Sequence, residues 1–70
     1  MLTISYDHLW ALLKRRGLQP ADLTRACGLS GSTIRQLQKG EDVSLSTLRK
    51  VCEGLNCRLS DVAEFVVRRL

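Results

Sequence analysis

The chain has 70 residues, of which 44% are hydrophobic, and its 11 lysines and arginines outnumber its 7 aspartates and glutamates. This length allows a single domain, residues 1–70, and the hydrophobic fraction is too high for a disordered chain. The net charge of +4 and the pI of about 9.4 are typical of a nucleic-acid-binding protein, although many small helical domains are equally basic.

The first predicted helix covers residues 6–16. Ser5 is a candidate N-cap before it, and Gly17 stands where the helix should end. The preceding residues Leu2 and Ile4 are expected to pack back on the domain as an extended arm. Apolar side chains at helical spacing give the inward stripe of this helix. They are Leu9, Leu12 and Leu13.

Residues 20–39 are predicted to form two short helices joined by a tight turn. The first covers residues 20–27, and Gly28 follows its last apolar position, where a left-handed residue commonly ends a helix. Ser30 is the expected N-cap of the second helix, residues 31–38. The outward side chains of that second helix are short, polar or basic and include no carboxylate, which suits the floor of a DNA groove. They are Ser32, Thr33, Arg35, Gln36 and Lys39.

A fourth helix is expected to begin after Ser44 or Ser46 and to end near Gly54 and Asn56. Its apolar residues recur at steps of three and four, which predicts an inward face. That face comprises Leu45, Leu48, Val51, Cys52 and Leu55.

A fifth helix is predicted over about 60–69, with Ser60 as its cap. Its apolar positions extend more than halfway around a helical wheel, and so small a domain has one core to cover them. We therefore predict that Phe65, Val66 and Leu70 form an exposed homodimer contact. The alternative is an apolar C-terminal turn that is merely frayed.

The three cysteines are odd in number and irregularly spaced, so a disulfide framework is not expected. Structural zinc sites usually pair ligands two to four residues apart, whereas Cys52 and Cys57 are five apart and His8 is the only histidine. We expect buried free thiols and neither a metal nor another cofactor. No apolar run reaches the ~18 residues of a membrane span and no signal peptide precedes the domain, which predicts a cytoplasmic protein.

Several short motifs occur in order and at fixed spacing. They are Asp22-Leu23, Gly28-Leu29-Ser30, Ser32-Thr33-Ile34, Lys39-Gly40-Glu41, Val43-Ser44-Leu45, Thr47-Leu48, and Cys52 with Leu55-Asn56-Cys57. Together they resemble the phage-repressor and Cro type (XRE-like) helix-turn-helix family, in its small stand-alone bacterial branch. The resemblance extends over residues 6–67. It implies a five-helix, all-α, lambda-repressor-like DNA-binding domain of bacterial, phage or mobile-element origin, associated with the nucleoid.

The resemblance also implies a set of DNA contacts, in which the third helix enters the major groove and the second crosses the backbone. The positions that match its base-reading sites are Gly31, Ser32, Thr33 and Gln36, with Arg35 beside them to read guanine or hold phosphate. The resemblance assigns the contacts with DNA phosphates to Gln19, Arg25, Lys39, Ser46 and Thr47. For each of these residues the alternative is a solvated surface side chain. The family's usual glutamine at the start of the second helix is replaced by Pro20, which puts that phosphate contact in doubt.

We therefore expect a sequence-specific regulator of transcription, most simply a repressor, that binds double-stranded DNA as a homodimer on a palindromic operator. The competing hypothesis is an antitoxin or adaptor module whose main partner is another protein. An enzyme is not expected, because the chain has one histidine, no glycine-rich phosphate loop and too little volume for a buried pocket.

Overall fold

A computed structural model describes residues 1–68 of the chain. Within that range it contains four α-helices, two short 3-10 turns and two strands, and no helix is long and apolar enough to cross a membrane. In chain order these elements are β1 (Leu2–Ser5), α1 (Asp7–Arg15), a 3-10 turn (Pro20–Asp22), α2 (Leu23–Cys27), α3 (Gly31–Gln38), α4 (Leu45–Leu55), a second 3-10 turn (Leu59–Asp61) and β2 (Glu64–Val67).

The four predicted helices before residue 56 are confirmed, and α3 has the predicted bounds. The second helix differs in detail, because its first turn, Pro20–Asp22, is a 3-10 turn. Helix ends follow the predicted chemistry: the residues after α1, α2 and α3 include left-handed glycines, and Asn56 takes the same conformation after α4. Local capping signals therefore determine where the helices begin and end.

The core lies between the four helices and is entirely hydrophobic among the described residues. At one contact, α4 approaches α2 so closely that a Cβ added at Gly54 would overlap the carbonyl oxygen of Ala26 and lie 2.6 Å from the sulfur of Cys27. The buried side chains are Tyr6, Leu9, Leu12, Leu13, Leu23, Cys27, Leu29, Ile34, Leu37, Leu48, Val51, Leu55 and Val62.

Two side chains connect helix ends that are distant in sequence. The Tyr6 hydroxyl donates a hydrogen bond to the carbonyl oxygen of Glu41 at 2.6 Å, which fixes the start of α1 to the loop after α3. The Arg16 guanidinium donates to the carbonyl oxygen of Leu55 at the end of α4. That carbonyl lacks a partner within its own helix, so Arg16 supplies the missing hydrogen bond.

The predicted fifth helix over 60–69 is wrong for the described residues. The mostly helical helix-turn-helix fold is confirmed, but it has four helices and a short strand pair in place of five helices. Residues Glu64–Val67 form β2, which pairs antiparallel with β1 in the register Leu2–Val67 and Ile4–Phe65. Phenylalanine and valine favour strands, and the arm at the N-terminus supplies a pairing partner. Asp61 belongs to the second 3-10 turn, where its carboxylate accepts a hydrogen bond from the Arg58 backbone amide at 3.0 Å.

Candidate nucleic-acid interface

The turn between α2 and α3 is built from three residues with different duties. Gly28 ends α2 in the left-handed region at φ 72°, a conformation that glycine adopts without steric cost. Leu29 is buried and anchors the turn to the core. Ser30 is extended and caps α3, its hydroxyl oxygen accepting a hydrogen bond from the Thr33 amide at 3.3 Å. The two helices are thus held as the predicted helix-turn-helix unit.

A cluster of hydroxyl groups surrounds the N-terminus of α3. The Ser30 hydroxyl lies 3.1 Å from that of Ser32 and 3.0 Å from that of Thr33. Each hydroxyl has one donor hydrogen and two acceptor lone pairs, so the cluster retains hydrogen-bonding capacity for an external partner. The free amides of the first helical turn add a preference for negative charge.

The outward face of α3 is open to a ligand. Ile34 and Leu37 are buried and fix the rotation of the helix about its axis. As a result Gly31, Ser32, Arg35 and Gln36 are exposed and Thr33 is half-buried. The guanidinium of Arg35 forms no ion pair within residues 1–68. All five predicted base-reading residues therefore lie on an accessible helix surface.

The N-terminus of α4 repeats the arrangement found at α3. Ser44, and not Ser46, is the cap: its hydroxyl oxygen accepts a hydrogen bond from the Thr47 amide at 3.1 Å. The hydroxyls of Ser46 and Thr47 lie 2.9 and 3.0 Å from that of Ser44. The two predicted phosphate-binding hydroxyls are thus brought together beside free helix amides, a setting that favours an anion.

The other predicted phosphate-binding residues are exposed but occupy separate places. Gln19 and Arg25 both contact Asp22: the Gln19 backbone N–H donates to its carboxylate at 2.7 Å, and the Arg25 guanidinium lies 3.6 Å from it. The Arg25 side chain is 90% exposed, so this ion pair leaves it free to turn toward a phosphate. Lys39 stands apart from that pair, at the C-cap of α3.

The residues of the predicted dimer contact do not share one face, because a strand takes the place of the predicted fifth helix. Phe65 is 72% exposed, whereas Val66, the next residue along β2, points to the opposite face of the strand pair and is half-buried. Leu70 lies outside the described residues.

Other exposed apolar side chains were missed by the sequence reasoning. Leu2 and Val67 pair across the strands, and Leu45, predicted inward, is 78% exposed at the start of α4. The alternation of apolar and polar residues in Leu2–Ser5 is the signal that could have revealed a strand there.

The three cysteines are free, with Cys27 buried and Cys52 and Cys57 half-buried. Burial raises the pKa of the Cys27 thiol, and burial with the neighbouring Cys52 raises that of Cys57. Both groups are therefore protonated at neutral pH and are weak nucleophiles. Among residues 1–68, no three His, Cys, Asp or Glu side chains lie close enough together to hold a metal ion.

Comparisons with known proteins agree with this geometry. The family model for the Cro/C1-type HTH DNA-binding domain matches residues 8–67. Among solved structures, the chain is similar to the crystal structure of the transcriptional regulator VanUg (form II), with a TM-score of 0.90 and 40% sequence identity. The match covers 96% of this chain and 89% of that one. A comparison with curated proteins gave no match.

Proposed function

Because the chain belongs to the Cro/C1-type helix-turn-helix DNA-binding family, we propose that it is a sequence-specific transcriptional regulator, a repressor that acts as a homodimer on a palindromic operator. The observation that carries the proposal is the outward face of α3, which is exposed, polar or basic, and free of carboxylates. The similar protein VanUg is itself called a transcriptional regulator. We place its action in the cytoplasm, on the nucleoid.

In this proposal α3 lies in the major groove and reads base edges from its N-terminal half. The side-chain amide of Gln36 has the paired donor and acceptor that match adenine. The guanidinium of Arg35 has the paired N–H donors that match the two acceptors of guanine. Ser32 and Thr33 either hydrogen-bond to several bases or contact a thymine methyl group. Gly31 has no side chain, so the backbone can approach the groove closely there, but it reads no base through a side chain.

The phosphate contacts would set the register of α3 on the duplex. Ser46 and Thr47, with the free backbone amides at the start of α4, would form one phosphate-binding site. Arg25 and Lys39 are exposed cations near α2 and α3, and Gln19 offers an uncharged side chain at the start of the 3-10 turn. These groups carry no sequence information, and the two cations among them, Arg25 and Lys39, would contribute to the salt-dependent part of the affinity.

A homodimer follows from the small size of the reading surface. One α3 of eight residues contacts few base pairs, and each correct bidentate contact contributes only about 1–3 kcal/mol. Two copies on half-sites one helical turn apart double the number of bases that are read. Such a dimer would repress by occupying DNA that the transcription machinery needs.

The test is a selection of binding sites from random DNA, followed by affinity measurements on the selected palindrome. Gln36→Ala should weaken binding by about tenfold and relax the preference at one position in each half-site. Arg35→Ala should do the same at another position. Arg49→Ala is the matched control, because Arg49 is also an exposed helix arginine but is paired with Glu53 on α4. Unchanged affinity and preference in both α3 variants would overturn the proposal.

Salt dependence separates this function from the alternative, an antitoxin or adaptor whose main partner is a protein. DNA affinity should fall with salt by a slope of about 0.9 for each phosphate neutralised, and Lys39→Ala should lower that slope by about one. The exposed apolar side chains of the strand pair favour a protein contact of some kind, and such a contact responds little to salt. A chain that co-purifies with another protein and shows no salt-dependent DNA binding would support the alternative.

A further inference from the structure

The end of α4 places two cysteine side chains against each other, an arrangement that DNA reading does not use. The Cys57 amide donates to the Cys52 carbonyl oxygen at 3.0 Å, and the Asn56 amide donates to that of Glu53 at 3.3 Å. With Asn56 in the left-handed region at φ 51°, these two hydrogen bonds form a Schellman motif. The side chains at the two ends of the longer bond commonly pack together in this motif, and here both are thiols.

The two thiols are accessible and near each other. The 3.0 Å hydrogen bond and standard bond lengths keep the Cα atoms of Cys52 and Cys57 within about 7 Å, a separation at which two cysteine side chains can meet. After burial, the neighbouring Cys52 is the largest cause that raises the pKa of the Cys57 thiol, so the two groups influence each other directly. Both thiols are free and half-buried, so an ion in solvent can reach them.

Two sulfur ligands select a soft metal ion of low coordination number. Structural zinc takes four ligands, whereas no three His, Cys, Asp or Glu side chains of residues 1–68 lie close enough together to hold a metal ion. The remaining cysteine, Cys27, is buried, and its thiol donates to the Val51 carbonyl oxygen at 3.7 Å. Among the soft ions that prefer thiolate ligands, Cu(I) accepts two-coordinate binding, because its filled d shell imposes no preferred geometry.

The charges around the pair suit a thiolate complex. One Cu(I) between two thiolates carries a net charge of −1. The Arg16 guanidinium donates to the Leu55 carbonyl oxygen at the same helix end, and its positive charge would stabilise such a complex. The nearby carboxylate of Asp61 opposes this effect, but it accepts a hydrogen bond from the Arg58 backbone amide at 3.0 Å, which offsets part of its charge.

We propose that Cys52 and Cys57 form a binding site for one Cu(I) ion at the C-terminal end of α4. Two Cu–S bonds form, both thiol protons pass to solvent, and no electron is transferred. A coordinating thiol is deprotonated by the metal itself, so thiols that are protonated in the free chain still bind. The backbone hydrogen bonds hold the turn before the ion arrives, and little ordering is required.

Anaerobic titration of the reduced full chain with Cu(I), in competition with a chromophoric Cu(I) chelator, tests the site. The wild type should bind one Cu(I) per chain and retain it in excess glutathione, which offers one thiol per molecule. Cys52→Ser and Cys57→Ser should each weaken binding about a hundredfold or more, because the second bond is then no longer intramolecular. Cys27→Ala is the matched control, since it removes the third thiol and should leave the affinity unchanged.

Circular dichroism should show that the three variants remain folded, and a second measurement on the wild type needs no variant. X-ray absorption at the copper edge should show two sulfur ligands and no further ligand. Three sulfur ligands, or a loss of copper to glutathione, would overturn the site. An unchanged affinity in Cys57→Ser would do the same.

This site goes beyond the proposed function, and the two proposals fail separately. A chain that reads selected DNA but releases Cu(I) to glutathione keeps the function and loses the site. A chain that retains Cu(I) but shows no sequence-specific DNA binding keeps the site and loses the function.

Discussion

The helix-turn-helix unit and the strand pair are stabilised by contacts of very different range. In the former, the capping and turn hydrogen bonds join residues at most six apart, such as the Ser30 hydroxyl with the Thr33 amide and the Leu29 amide with the Leu23 carbonyl. In the latter, residues from the two ends of the described chain meet: the Arg68 amide donates to the Met1 carbonyl oxygen at 2.9 Å, and its guanidinium donates to the Thr3 hydroxyl. The ends and turn of the first structure are specified by local sequence, whereas the second requires residues about 60 positions apart to pair.

The outer surfaces of the two regions differ in the same way. The helix-turn-helix unit presents hydroxyl, amide and cationic groups, which water solvates well. The strand pair presents Leu2, Phe65 and Val67, which water solvates poorly. This difference fits the proposal that the polar end contacts DNA, and it leaves the apolar side chains of the other end exposed. Five substitutions, with Gly31→Ala as a control, test this comparison in order of decreasing expected effect.

Gly54→Ala should have the largest effect on stability, because the added methyl group would push α4 away from α2 of the helix-turn-helix unit. The new methyl group would overlap the backbone of Ala26 and press on the Cys27 sulfur, and backbone cannot move aside as a flexible side chain can. We expect a loss of about 3 kcal/mol in the free energy of unfolding, at the upper end of overpacking costs. Urea denaturation followed by circular dichroism measures it.

The control is Gly31→Ala, at the first position of α3. A Cβ there meets nothing within 4 Å, so stability should hold or rise slightly. If both alanines cost the same, the close contact between α4 and α2 is not what makes Gly54 necessary.

Tyr6→Phe should have the next effect, because Tyr6 joins the start of α1 to the loop that follows the helix-turn-helix unit. Removing its hydroxyl deletes the 2.6 Å hydrogen bond to the Glu41 carbonyl and costs about 1–1.5 kcal/mol at pH 7. Thermal unfolding of the two proteins side by side measures the difference. Equal stabilities at pH 7 would show that water replaces this bond at no cost.

The pH dependence of the same pair gives an independent check. Burial, with a smaller contribution from Asp42, raises the pKa of the Tyr6 hydroxyl above its ordinary value of about 10. Because the folded state favours the protonated form, its stabilisation is complete below pH 10 and is lost as the pH rises through the folded pKa. The stability gap between wild type and Tyr6→Phe should therefore narrow above pH 10. A constant gap up to pH 11 would contradict this.

The sequence predicted the helical half well because its signals are short in range. Gly28, Ser30 and Ser44 specify helix ends through contacts within one turn, and the apolar spacing of Ile34 and Leu37 specifies which face of α3 is outward. The family model supports the same region. The roles of individual α3 residues toward DNA remain predictions, since they depend on a partner that the chain itself does not contain.

The strand pair could not be found by the same reasoning. Residues 60–69 have an acidic start, a basic end and dense apolar content, which also describe a helix. The choice of strand depends on Leu2–Ser5, some 60 residues away, whose alternation gives a pairing partner to Phe65 and its neighbours. Leu45 was misassigned for a related reason: helical spacing places it near the inward stripe, but the first turn of α4 extends beyond the core.

The two serine caps should show equal effects on stability and unequal effects on DNA reading. Ser30→Ala and Ser44→Ala each remove a side-chain cap, which typically costs about 1 kcal/mol. Ser30 also holds the hydroxyls of Ser32 and Thr33, so its loss should relax base preference, whereas the loss of Ser44 should weaken binding to all sequences alike. Competition with mismatched operators distinguishes the two outcomes. A uniform loss in both variants would remove the proposed distinction between the reading and the phosphate-binding helix ends.

Glu64→Gln should have the smallest effect and act on the strand pair and its contact with α1. The carboxylate lies 3.2 Å from the His8 imidazole, but both side chains are about half-exposed, so the pair is worth at most about 0.5 kcal/mol. Because β1 is the one strand paired with β2 among residues 1–68, this loss should speed amide hydrogen exchange across the strands while leaving α3 unchanged. Exchange followed residue by residue by NMR measures both regions in one sample. If exchange at the α3 amides accelerates equally, the two regions unfold as one cooperative unit. The strand pair would then not open independently of the helices.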